Sequence, residues 1–184
     1  MIIAFIIGFI LIFIIFGYNS LVSKQNQVEN AFASLDAMFK KRFDLIPNLV
    51  ATAKNYAQYE QSTLNGLVEL RSKAINGQLS NNQTVELDNA FTQATRNLVV
   101  LSENYPELRA SENYNQLQRT LNETEEQISA ARRNYNASVT AYNDAVQQIP
   151  TNIISSLFVF HKRALLTTPE SQRENVDVNQ LFKS

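Results

Sequence analysis

SENYNQLQRTLNETEEQISAARRNYNASVTAYNDAVQQ, residues 111–148, is the stretch whose reading decides the fold. Tyr114, Leu117, Leu121, Thr124, Ile128, Ala131, Tyr135, Ser138, Tyr142, Ala145 and then Ile149 recur at alternating steps of three and four. A period of about 3.5 residues is a helix with one seam turned toward a partner helix, and about five heptads without a stutter imply gentle left-handed supercoiling. No Gly or Pro interrupts the stretch. Ser111 is the natural N-terminal boundary, although the Glu of a full capping box is missing three residues later.

The same alternation appears near the start of the chain in Tyr18, Leu21, Gln25, Val28, Phe32, Leu35, Phe39 and Arg42. Upstream of it, no charged side chain occurs before Lys24, and thirteen of the fifteen residues from Ile2 to Phe16 are Ile, Leu or Phe. A helix from Ile2 to Val22 is roughly 30 Å long, the thickness of the hydrocarbon core of a bilayer. Those side chains favour insertion by up to several kcal/mol, at roughly 0.3–0.6 kcal/mol each. A cleaved signal sequence would carry a basic start and a small-x-small site, and Phe16-Gly17-Tyr18-Asn19 offers neither. A core helix of a soluble protein would show a polar face, and every face here is apolar. Residues 1–22 therefore read as a transmembrane anchor, with Ile2, Phe5, Ile6, Phe9, Phe13 and Phe16 facing lipid. Lys24, Lys40, Lys41 and Arg42 follow the span, which predicts a single pass with the N-terminus outside and the bulk of the chain in the cytoplasm.

The first helix is expected to end near Phe43, because Pro47 lacks the N–H that would continue it. Asp44 is a natural N-cap, or a favourable negative charge, for a second helix over Ile46–Ile75, with Val50, Ala53, Ala57, Leu64, Leu67 and Ala74 on its seam and Asn76-Gly77 as C-cap. A third runs over Thr84–Asn104 through Leu87, Phe91, Ala94, Leu98 and Leu101, and Tyr105-Pro106 stops it. The economical architecture is all-α: an up-down-up-down four-helix bundle over residues 18–150, standing on its anchor and projecting roughly 40–50 Å from the membrane. Residues 151–184 form an apolar segment and tail. Ile153, Ile154, Leu157, Phe158, Val159 and Phe160, followed by Lys162 and Arg163, fit either an interfacial segment or a strand-like cap on the base of the bundle.

Composition excludes several function classes. A net charge of −1 with interspersed signs gives no basic stripe for nucleic acid. No Cys and a lone His161 leave no thiolate nucleophile, no Cys- or His-based metal set and no Glu-x-x-His motif of a di-iron bundle, so no cofactor is expected. Glu123, Glu125 and Glu126 read as a solvated face rather than an acid and base pair. Charges on the seams need partners. Arg42, Glu60 and Arg71 occupy seam positions, and Glu125 and Arg132 flank the last seam. By depth, Glu60 and Arg132 are expected to pair across the bundle and set its register. The repeated Tyr-Asn pairs, Tyr135 included, read as seam aromatics with amide hydrogen bonds beside them.

The chain resembles the LemA family of bacterial membrane-anchored proteins over roughly Tyr18–Pro150. The likeness rests on Tyr18-Asn19-Ser20-Leu21-Val22, on Arg42 to Val50 with Asp44 and Asn48 inside it, and on Tyr105-Pro106-Glu107-Leu108-Arg109-Ala110. Asn113-Tyr114, Leu117-Gln118, Leu121, Thr124-Glu125, Ile128, Ala131-Arg132, Tyr135-Asn136 and Tyr142-Asn143 extend it. Gln25 stands where members often carry Arg, and Phe32 where many carry Trp. The resemblance implies a bacterial inner-membrane protein with its N-terminus outside, a cytoplasmic helical bundle, no enzymatic activity, and a membrane metalloprotease-type partner. The expected function is a non-enzymatic scaffold or adaptor of the envelope that forms homo-oligomers, with the Lys40-Lys41-Arg42 and Tyr105-Pro106 corner as its contact patch. The alternative is an accessory subunit or regulator of a membrane protease or quality-control system.

Overall fold

The computed structural model describes residues 1–56, 61–77 and 79–166, and among them every regular element is a helix. The first, α1, runs unbroken over Ile2–Phe43, 42 residues or about 63 Å. No residue of it before Leu21 is buried; from there Leu21, Val28, Ala31, Leu35, Phe39, Arg42 and Phe43 are. The seam read from the sequence thus begins to pack where the apolar span ends. The span is long and apolar enough to cross a membrane, and its most apolar window holds no buried residue.

At Pro47 the chain does not turn back. Asp44 and Leu45 both keep right-handed helical dihedrals, and the next helix, α2 (Ile46–Lys54), carries Pro47 in its first turn. The missing N–H falls where an N–H is unpaired in any helix start, so Pro47 marks a joint and not a reversal. Asn48, Ala51 and Thr52 of α2 lie beside Asn113, Gln116, Leu117 and Thr120, so α2 prolongs the line of α1 along the same partner. Asp44 closes α1, and no side chain caps α2, which corrects the expected N-cap role of Asp44.

The expected second helix is therefore two elements. After α2, the turn at Asn55-Tyr56 closes with Tyr56 N–H donating to Ala53 O, a 3₁₀-type bond at 3.1 Å that tightens the end. The next helix, α3 (Gln61–Asn76), runs back alongside α2 until Ala74 and Ile75 reach the level of Asp36–Phe43. Gly77 N–H donating to Lys73 O ends it. A capping box at Ser80 and Gln83 then starts α4 (Asn81–Glu103), three residues earlier than expected. Tyr105-Pro106 opens a one-turn helix, α5 (Pro106–Ala110), which leads into α6 (Glu112–Gln147).

Helices α1 and α6 form the spine. Arg42 meets Glu125, Phe32 meets Tyr135 and Leu21 clusters with Ala145, so the pair is antiparallel in constant register. The α3–α4 hairpin covers only its upper part. Its turn lies near Asp36, about 21 Å beyond Val22 at the helical rise. The lower spine is covered instead by the chain after Gln147: a short helix, α7 (Thr151–Leu157), and an extended strap over 160–166. Residues 167–184, read as a tail, lie outside the described residues.

Candidate functional site

Two places concentrate polar or unusual structure. The first is where α1, α4 and α6 meet. Arg42 is 3% exposed and Asp88 1%, with Arg42 Nη1 donating to Asp88 Oδ1 at 2.8 Å. The same Nη1 meets Glu125 Oε2, and Arg132 Nη2 lies 3.4 Å from Asp88 Oδ2. The Arg42 guanidinium also stacks 4.8 Å from the centre of the Phe91 ring, which Phe43 contacts edge-on. One buried carboxylate thus holds two arginines from two helices, and an aromatic face shields the deeper one. Burial pushes the Asp88 carboxyl above its ordinary value, with Glu125 adding to the rise, against the pull of Arg42 and Arg132. A cleft of about 350 Å³ between α4 and α6 opens on Arg42, rimmed by Arg96, Gln118, Asn122 and Glu125.

The structure brings Arg42, Glu125 and Arg132, each expected to need a partner, into one cluster through Asp88, which the seam pattern of the sequence does not single out. Arg132 pairs with Asp88; Glu60, its expected partner, lies outside the described residues. The buried row of α4 is Thr84, Asp88, Phe91, Leu98 and Ser102, again in steps of three, four and seven. Three of these five are polar, so the apolar seam expected through Leu87, Phe91, Ala94, Leu98 and Leu101 passes beside Asp88 without including it. Arg71 is half-buried on α3, and Asp44 and Asn48 are exposed. Tyr135 is buried against Phe32, ring centres 5.6 Å apart. Arg42 is withdrawn from the expected Lys40-Lys41-Arg42 patch, and Lys41 Nζ donates to Gln127 Oε1 at 3.2 Å.

The second place is the base of the spine. Asn143 Nδ2 donates to Arg163 O at 2.8 Å and its Oδ1 accepts from Arg163 N–H at 2.9 Å. Asn136 does the same to Leu166, at 3.0 and 2.9 Å. A heptad of α6 rises about 10.5 Å, and three extended residues rise about 10 Å, so the two amides meet the strap in register. Tyr142 donates to His161 O at 3.0 Å, and Arg163 Nη2 reaches Glu29 Oε1 at 2.9 Å, holding the Glu29 carboxyl below its usual range with help from Gln25. These are the amide hydrogen bonds expected of the Tyr-Asn pairs, here spent on the chain's own backbone.

Below the strap, α7 packs against the root of α1. Ile154 is buried against Leu21, and a Cβ on Gly17 would run into Ile154 Cδ1. Tyr18 meets Phe158 and Phe160 edge-on, ring centres 4.9 and 5.8 Å apart. Phe158 N–H donates to Ile154 O and Phe160 N–H to Ser155 O, a helix-ending loop that places Val159 at φ 59°. Glycine is the usual occupant of that position, and a β-branched side chain there costs about 1–3 kcal/mol.

Together these features define an all-helical protein with one apolar N-terminal span, whose charged residues of the core are engaged with each other. The chain belongs to the LemA family: the family model matches residues 31–180. A protein LemA of Metamycoplasma hominis is 29% identical, over 96% of this chain and 84% of its own. The magnetosome protein MamQ 2 of Paramagnetospirillum magneticum is 22% identical over 90% of this chain and 70% of its own. The magnetosome protein MamQ of Magnetospirillum gryphiswaldense is 21% identical over 79% of this chain and 62% of its own.

Proposed function

We propose that this chain is a non-enzymatic, membrane-tethered scaffold: an up-down-up-down four-helix body, α1 with α2, then α3, α4 and α6, held at a fixed height on a single span. The observation that carries the reading is the continuity of α1, Ile2–Phe43, from an apolar stretch with no buried residue into a packed seam without a joint. A rigid helix of that kind transmits position and orientation from the lipid to the body. Asp88 supports it: at 1% exposure between two guanidinium groups it is out of reach of a substrate and suited to fixing register. Relatives named as a protein LemA and as magnetosome proteins fit a shared support better than a shared reaction.

The body assembles with further copies of itself through its outer helices, where Val68 and Ile75 of α3, one heptad apart, and Val99 and Val100 of α4 remain exposed. Lys24, Lys40 and Lys41 after the span support a cytoplasmic position for the body. Native mass measurement of the full chain in mild detergent tests the scaffold. A discrete multi-subunit mass is expected, and a clean monomer that copurifies with no other protein overturns it.

A further inference from the structure

We propose that α7 is an interfacial foot: its outer face and Val159 insert into the head-group boundary of the same leaflet from which α1 emerges. The inference rests on the membrane reading of α1 and goes beyond it, because it assigns a second lipid contact, from a segment far along the chain, to the same end of the spine.

Height is the first argument. The charge-free stretch ends at Ser23, so Gly17, Tyr18 and Leu21 lie where a span begun at Ile2 leaves the hydrocarbon. Ile154 packs on Gly17 and Leu21 and Phe158 packs on Tyr18, which holds α7 at that level. Composition of the free face is the second. Ile153, Leu157, Phe158 and Val159 are 65%, 69%, 46% and 66% exposed, while Lys162 and Lys24 follow on the side away from the span. Apolar residues toward the acyl chains with cations at head-group level is the pattern of a segment lying in the interface.

Val159 supplies the third. A glycine there would relax the backbone, yet the chain keeps an apolar β-branched residue in the left-handed region and turns it outward. That choice makes sense where the side chain has an apolar medium to enter. A second copy is a poorer occupant, since four side chains around one helix end offer a fraction of the roughly 800 Å² per partner of a standard interface.

The native chain has no cysteine, so single labels can be placed on the full-length protein. An environment-sensitive fluorophore is attached at Phe9→Cys, Leu157→Cys or Val100→Cys, in vesicles of phosphatidylcholine and phosphatidylglycerol carrying a nitroxide high on the acyl chain. Quenching at Leu157→Cys is expected to be several-fold greater than at Val100→Cys. Quenching at Leu157→Cys no greater than at Val100→Cys, with Phe9→Cys still quenched, overturns the foot and leaves the span standing. Loss at Phe9→Cys as well overturns both. Ready disulfide-linked dimers of unlabelled Leu157→Cys would place a second copy on this face and overturn the lipid assignment. Val159→Gly is expected to keep or raise thermal stability while lowering the quenching of a label at Ile153→Cys; a purely structural role for Val159 would leave that quenching unchanged.

Discussion

Replacing Asp88 with Leu removes the carboxylate shared by Arg42 and Arg132 and leaves Arg42, 3% exposed, with fewer partners than its burial requires. Breaking a buried ion pair by removing one member costs about 3–5 kcal/mol. The low end applies here, because Arg42 keeps Glu125 and the Phe91 face, and Arg132, with a side chain 13% exposed, can turn to water. A loss of about 3 kcal/mol in a chain of this size lowers the melting temperature by roughly 6–12 °C. Arg42→Met alone should cost about as much, since it strands Asp88 with a single arginine 3.4 Å away. The double variant Arg42→Met with Asp88→Leu places two apolar groups in contact and should lose little more than either single change, a coupling of about 2–3 kcal/mol. Thermal and denaturant unfolding of the four proteins in one detergent measures this. Additive losses, or a loss under about 0.5 kcal/mol for Asp88→Leu, would refute the idea that the cluster sets register.

Asn136→Ala and Asn143→Ala each remove two bonds to the strap and should cost about 1–2 kcal/mol locally, read as faster amide exchange at Leu166 and Arg163 respectively; unchanged protection contradicts the clamp. Gly17→Val drives a side chain into Ile154 and should lift α7, speeding tryptic cleavage after Lys162 and Arg163, with partial rescue by Ile154→Ala; cleavage at the native rate counts against the packing. The raised Asp88 carboxyl sets a sign for pH dependence. An acid that binds its proton more tightly when folded contributes stability that is fully present below its unfolded value and is lost as pH rises through the folded one. The stability gap between the native protein and Asp88→Asn should therefore widen as pH falls from neutral to below about 4, and a narrowing gap contradicts it.

The span, the seam of α6 and the misplaced charge of Arg42 were all legible, because each is a property of one helix read against its own period. What was hidden depends on two helices at once. Pro47 reads as a reversal in isolation, but in the first turn of α2 it marks only a joint, and the neighbours Asn113–Thr120 reveal that the line continues. Asp88 sits on a row so polar that the apolar row beside it looks like the core; its place is set by Arg42 and Arg132, which lie far away in sequence. Gly17 has no role within α1 and acquires one only when Ile154 packs against it. The signal that could have found the strap was in plain view, as asparagines one heptad apart beside the seam tyrosines, yet their partners are backbone groups of an extended segment without periodicity of its own.

Alkaline carbonate extraction of membranes from cells making the full chain bears most directly on the central claim, that the exposed first half of α1 lies in lipid and carries the helical body. The account predicts that the intact chain stays in the membrane pellet, and that only detergent releases it. Recovery of the intact chain in the carbonate supernatant would contradict it.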